Sequence, residues 1–299
     1  TGVRNTSIGW SSLGSLTTGN YNTALGMQTL DATTTQSNNT AAGYNALNQN
    51  TASNNTAVGY EELKVNTTGT ENTAVGSASL DANTTASYNT AVGYNALTAN
   101  TTGADNTGVG RASLSNNTTG TDNTAVGKGS LAQNTTASNN TAVGTEALGL
   151  NTTGTKNTAV GALSLDATTT GNNNTSVGEQ SLTTNTTGGN NVAVGTGALA
   201  LNTTASNNTA VGYDALVQNT TGAGNTAVGT NALDANTTGS NNVAVGKDCL
   251  GANTTGEENT ALAPNNALGS NTTGSGNTAI GNQSLMANTT ASNNTAVGR

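Results

Sequence analysis

The sequence has no histidine and no phenylalanine, and its 299 residues include one proline, one cysteine and one tryptophan. Each shortage excludes something. Without histidine, histidine-based catalytic triads are impossible and the commonest metal ligand is missing. One cysteine rules out an internal disulfide framework. Charged residues make up 7% of the chain, against about 25% in ordinary soluble domains. Seven of them are Lys or Arg, and the net charge is −8. Phosphate binding needs clustered cations, so no nucleic-acid partner is expected. No apolar run approaches the roughly 20 residues of a membrane-spanning helix, and no signal peptide is visible. Aromatic residues are 2% of the total, which excludes a large core of packed rings.

What is present is a repeat. The unit N-T-A-V-G-Y-x-A-L-x-x-N-T-T-G-x-x begins at Asn5 and starts for the eighteenth time at Asn294. The spacing is 17 residues throughout, except for 16 between Asn39 and Asn55 and 18 between Asn259 and Asn277. Disordered chains combine low hydrophobicity with high net charge; here apolar residues, 32% of the total, fall at fixed intervals. Internal repeats of this kind signal a solenoid. Helical repeats fail on three counts. Thr, Asn and Gly are poor helix formers, the unit is far shorter than a two-helix repeat of roughly 34 residues, and its apolar residues alternate over N-T-A-V-G instead of marking a helical stripe. The expected fold is therefore all-β: a parallel β-solenoid of 17-residue coils, with residues 1–299 as one repetitive domain. Because the chain begins and ends inside the repeat, it reads as a segment of a longer fibre.

The columns of the unit, numbered 1 to 17, assign roles. Column 4 is always apolar and column 2 is Thr or, at Val192 and Val243, the isosteric Val. Strand alternation puts both on one face, and their apolar character predicts that this face is the interior. Column 5 is Gly almost throughout, which predicts a bend with positive φ or a crowded corner. Ala263 and Pro264 replace it where the spacing grows to 18, predicting a remodelled corner. Column 9 is Leu in every complete unit and is expected to centre a second strand. Column 15 alternates between Gly and Ala (Gly69, Gly103; Ala86, Ala137, Ala205), so it needs small size more than positive φ. Columns 1 and 12 should form asparagine ladders bonded from coil to coil.

Column 3 should then face outward, yet it stays small, as at Ala24, Ala41, Ala57, Ala74, Ala91 and Ala193. A small outer row suggests that another copy of the chain packs against it, as in a closed homo-oligomer; the competing reading is that small residues sit at tight corners. Column 6 carries Trp10, Tyr44, Tyr60, Tyr94 and Tyr213. Exposed aromatics suit contacts with sugar or protein, while stacking along the ladder is the structural alternative.

The phrases "NVAVG" at Asn191–Gly195 and Asn242–Gly246, with the many "NTAVG" copies, resemble the S-V-A-I-G strand of head repeats in trimeric autotransporter adhesins. Similar Asn/Thr/Gly phrases recur in phage tail-fibre proteins. The resemblance implies a left-handed parallel β-roll, assembled as a parallel homotrimer in an extracellular fibre on a cell or virion surface, with a host-surface glycan or protein as partner. The 17-residue unit departs from the shorter repeats of adhesin heads.

No catalytic constellation emerges, and no cofactor or metal is expected. Asp31, Asp81, Asp166 and Asp234 share column 10 in non-adjacent coils and read as a solvated face. The Gly-Asp nonapeptide of calcium-binding β-rolls is missing, and the Gly groupings open no helix that could form a phosphate loop. Cys249 occupies column 8 among Ala and Ser, where a structural residue is expected. The functional expectation is a non-enzymatic, structural and adhesive fibre segment. The alternative is an ice-binding solenoid using threonine ladders, for which columns 13 and 14 are the Thr-rich candidates.

Overall fold

A computed structural model describes residues 2–299. They form 18 short strands and no helix, wound as a parallel β-solenoid with one strand in each coil of about 17 residues. The chain divides into two compact units, Thr1–Thr153 and Gly154–Arg299. The first holds β1 to β9, from Thr6–Ile8 to Thr141–Val143; the second holds β10 to β18, from Thr158–Val160 to Thr295–Val297. Within each unit, successive strands pair in parallel and in register by column, as in Thr90↔Thr107, Ala91↔Gly108 and Val92↔Val109.

The strand faces are the reverse of the expectation. Ala24, Ala41, Ala57, Ala74, Ala91 and Ala193 are all 0% exposed within their own chain. They line the interior and cannot touch a neighbouring copy. The Thr of column 2 is half-buried, and the Val of column 4 is more than a third exposed at Val92, Val126 and Val143. Space decides this. At Gly108, where column 3 lacks even a methyl, an added Cβ would lie 3.1 Å from Ser113 Oγ and 3.4 Å from Leu97 Cδ1. The coil is too narrow for a β-branched side chain at that position, so the more hydrophobic residue turns outward and the smaller one turns in.

The second expected strand is absent. Column 9 leucines sit in turns with left-handed backbone, as at Leu97 with φ 52°, and the leucines from Leu30 to Leu216 are fully buried. A left-handed leucine costs roughly 1–2 kcal/mol, which burial of its side chain, worth about 1.5–3 kcal/mol, offsets. The flip also sends Leu97 N–H to Ser113 O in the next coil, at 3.0 Å, while Leu97 O accepts from Asn100 N–H at 3.1 Å. Two non-strand residues thus keep the backbone hydrogen-bonded.

The Gly corner behaves as expected. Gly93 has φ 134°, and a Cβ there would come 2.7 Å from Gly110 O in the next coil. Column 15 has no left-handed backbone at Gly69 or Gly103 and buries Ala86 and Ala137. In the second unit the insertion remodels its corner. There β16 (Thr260–Asn265) is six residues long, and its pairing with β15 (Val243–Lys247) shifts register between Val245 and Lys247.

Both asparagine ladders are present, and their members are buried from Asn22 to Asn277 in column 1 and from Asn50 to Asn271 in column 12. In column 1, Asn106 N–H donates to Asn89 Oδ1 at 3.0 Å and Asn106 Nδ2 to Gly120 O at 2.8 Å. In column 12, Asn117 Nδ2 donates to Asn100 Oδ1 at 2.8 Å and to the same Gly120 O at 3.0 Å. The column 15 carbonyl therefore joins the two ladders. This pairing satisfies polar groups whose burial would otherwise be costly. Thr33 and Thr168 replace Asn in column 12 and donate to Asn50 O and Asn185 O, each at 3.0 Å.

Candidate functional surface

With columns 1, 3, 8, 9, 12 and 15 inside, columns 2, 4 and 6 are presented outward on the strands and just beyond them. In the first unit, column 4 runs Ile8, Leu25, Ala42, Val58, Val75, Val92, Val109, Val126 and Val143. Beside it stand the column 2 threonines, whose hydroxyls, as at Thr90, Thr107 and Thr124, take no part in the hydrogen bonding of the coils. The column 13 threonines are occupied: Thr101 Oγ1 donates to Thr118 O at 3.1 Å. Threonine hydroxyls free of the coil's hydrogen bonds therefore face outward in column 14, exposed at Thr102, Thr119 and Thr136, as well as in column 2, half-buried beside column 4. In neither unit does column 2 or column 4 carry a charge, so the face is uncharged on an acidic chain.

Four of the five expected aromatic-row residues belong to the first unit. Trp10, Tyr60 and Tyr94 are 70%, 53% and 57% exposed. Tyr44 is half-buried, because its ring stacks on Tyr60 with centroids 5.3 Å apart and planes 18° apart. Trp10, Met27, Tyr44 and Tyr60 occupy four consecutive coils; Ser77 follows, then Tyr94. Tyr213 lies in the second unit between Thr196 and Thr230 of its column and joins no such row.

The coils starting at Asn55, Asn72 and Asn89 depart from the repeat in three further ways. First, β4 (Thr56–Tyr60) and β5 (Thr73–Ser77) run for five residues instead of three, pairing Tyr60 with Ser77. Second, Lys64 Nζ lies 3.0 Å from Glu61 Oε2 and 3.6 Å from Asp81 Oδ2. Asp81 Oδ1 also accepts from Thr98 Oγ1 at 2.8 Å. Third, Glu62 stands in column 8, where Ala or Ser is usual, and is fully buried. Its Oε2 accepts from Ser79 N–H at 2.9 Å and from Ser79 Oγ, while Oε1 has no partner. Burial pushes its carboxyl up to about 7; the Ser79 hydrogen bonds oppose that shift and the Asp81 charge adds to it. The ion-pair network was not legible in advance, since it depends on which columns become neighbours across coils. Glu62 announces itself only as a break in its column.

The other column 10 carboxylates serve the frame. Asp31 accepts from Ser11 Oγ at 2.7 Å and Asp166 from Thr183 Oγ1 at 2.6 Å, and burial raises the carboxyl of Asp234. Cys249 is buried, and burial also raises its thiol above the ordinary range, which suits a small packing residue. Among the described residues no cluster of three His, Cys, Asp or Glu could hold a metal ion, and no helix is long and apolar enough to cross a membrane. No protein-family model matches the chain, and no curated protein matches it significantly.

Proposed function

We propose that the chain is a non-enzymatic structural and adhesive segment of an extracellular fibre, built by side-by-side association of parallel copies. The observation that carries this reading is the outward row of column 4, an apolar strip repeated coil after coil with no partner in its own chain. Continuous apolar surface on a soluble protein marks an interaction site. The occupant best matched to it is a second copy of the same chain. A ladder that rises by one coil, about 4.8 Å, at each step meets equivalent contacts only on a surface of the same rise. The absence of charge from columns 2 and 4 removes the repulsion that would otherwise separate identical acidic chains. The association expected at Ala24, Ala41, Ala57, Ala74, Ala91 and Ala193 is thereby moved to their strand neighbours. The adhesin and tail-fibre resemblance adds the count of three copies and a cell-surface or virion location. Light scattering and electron microscopy of the full chain test the reading: elongated homo-oligomers are expected, and compact monomers at every concentration would sink it.

A second reading has a specific observation in its favour. The free hydroxyls of column 2 and the methyls of column 4 form a regular outward array, the kind of surface on which an ice-binding solenoid could order water. Measurement of thermal hysteresis separates the two, and clear activity from the monomer would reverse the ranking.

A further inference from the structure

One coil step in column 6 separates stacked rings, and Tyr44 and Tyr60 make that contact at 5.3 Å. The stack ends at Tyr60, because the next residue of the column is Ser77. The column then resumes with Tyr94. Tyr60 and Tyr94 are two steps apart, about 10 Å at a coil spacing of about 4.8 Å. Rings in contact have centroids about 4.5–7 Å apart, so the opening over Ser77 has room for one six-membered ring, a single step from each tyrosine. The exposures agree: Tyr44, with neighbours on both sides, is half-buried, whereas Tyr60 and Tyr94 are more than half exposed. Ser77 is followed by Ala78, so the coil under the opening is small at both positions.

The polar groups of the same three coils indicate what the guest would be. Glu61, Lys64, Asp81 and Thr98 form one connected ion-pair and hydrogen-bond network. Their side chains remain partly open, at 26%, 35% and 23% for Glu61, Lys64 and Asp81. An aromatic side chain from a partner protein would use the rings and leave this network idle. A pyranose has apolar C–H faces for the rings and an equator of hydroxyls for carboxylates, an ammonium group and threonine.

We infer that the opening over Ser77, between Tyr60 and Tyr94, is a saccharide-binding site that takes one pyranose ring of a neutral glycan. It rests on the adhesive reading, for which it supplies a point of attachment, and the two fail separately, since monomeric behaviour would not affect sugar binding by one coil triplet.

The test is titration of the full chain with chitotriose, maltotriose and cellotriose, followed by saturation-transfer NMR and calorimetry, with indole as a planar aromatic control. At least one trisaccharide should bind with a millimolar or tighter Kd. Tyr60→Ala and Tyr94→Ala should each weaken it by about tenfold, the effect of one stacking ring. Ser77→Tyr, which places in the column a residue it already carries on either side, should fill the opening and abolish binding. Tyr213→Ala should change nothing. The inference is overturned if none of the three sugars binds, if indole binds in their place, or if Ser77→Tyr leaves binding intact. It is equally overturned if Tyr60→Ala and Tyr94→Ala dissociate the oligomer without altering sugar binding.

Discussion

Two stretches of this chain obey the same repeat differently. In the second unit, the coils starting at Asn208 and Asn225 keep Ala, Leu and Asn inside, each ladder bond made and every strand three residues long. In the first, the coils from Asn55 to Asp105 keep the same Gly corners and asparagine ladders, yet carry longer strands, a buried carboxyl, an ion-pair network and an interrupted ring stack. Interior columns are governed by the width of the coil and its hydrogen-bond accounting, and they vary little in either stretch. Outer columns are free to vary, and the coils from Asn55 to Asp105 combine several such departures. A departure inside a column is therefore a local cost that the regular coils avoid, while a departure outside is a candidate for function.

The largest effect should come from breaking a corner that both stretches share. At Gly93→Ala the new Cβ would be held 2.7 Å from the Gly110 carbonyl at φ 134°, combining a steric clash with backbone strain worth about 1–3 kcal/mol by itself. A loss of about 3 kcal/mol or more is expected in urea denaturation. At Gly103 an added Cβ also crowds a carbonyl, Gly120 O at 2.3 Å, but the backbone there is not left-handed and Ala86 and Ala137 already occupy the same column, so Gly103→Ala should cost less than Gly93→Ala. Equal losses at the two sites would refute the assignment of separate roles to the two glycine columns.

Next in size is the ladder. Asn117→Ala removes its two donated bonds, to Asn100 Oδ1 and Gly120 O, and the acceptor for Asn134 Nδ2 at 2.8 Å. Leaving such groups buried and unpaired costs about 1–3 kcal/mol. Asn117→Thr should recover part of that loss, since threonine already serves the column at Thr33 and Thr168. Hydrogen exchange of the Asn100 and Asn134 coils would report whether the damage stays local, as expected where each coil rests on its neighbours.

Much of this frame was legible in the sequence, and what was missed has a physical pattern. The period, the Gly corner, the two asparagine ladders and the remodelled corner at Ala263 each follow from a residue type with one structural use. The triplet Thr90-Ala91-Val92 has two consistent readings, because hydrophobicity puts valine inside and volume puts alanine inside. The choice depends on coil width, which no single unit reveals. Leu97 misled for a related reason: nothing about leucine signals a left-handed backbone, and its φ is dictated by the hydrogen bonds it makes to the next coil. The exposure of Trp10, Tyr60, Tyr94 and Tyr213 was readable from their column. The opening at Ser77 was not, because it is an absence that acquires meaning only once the rings on either side are known to stack along the column.

Glu62 sharpens the contrast through pH. Its folded-state value of about 7 lies above the ordinary 4.5. Below about pH 4.5 the carboxyl is protonated whether the chain is folded or not, and stability is greatest. As the pH rises towards 7 the unfolded chain releases the proton that the folded chain retains, so stability falls and then levels off. Each pKa unit carries about 1.4 kcal/mol; discounted for solvent screening, the expected loss is about 2 kcal/mol across that window. Glu62→Ala, which restores the usual residue of the column, should raise the urea midpoint at pH 8 and flatten the profile between pH 4.5 and 7. A pH profile unchanged by the substitution would mean that the carboxyl is better solvated than its buried position implies.

The smallest effect on the folded chain should come from the face with the greatest consequence for assembly. Val126 is 37% exposed and pairs in register with its ladder neighbours Val109 and Val143. Val126→Glu and Val143→Glu should each shift chain stability by no more than about 0.5 kcal/mol, the range of ordinary surface changes. Ala125→Glu, one residue away, would force a charge into the interior and should unfold its coil. If the outward face joins copies of the chain, the paired Val126→Glu, Val143→Glu variant places like charges opposite each other in every contact, and sedimentation should show dissociation of a still-folded chain. If the variant stays assembled, the copies meet elsewhere and the uncharged threonine–valine ladder is left facing water, which is the condition that the ice-binding reading requires.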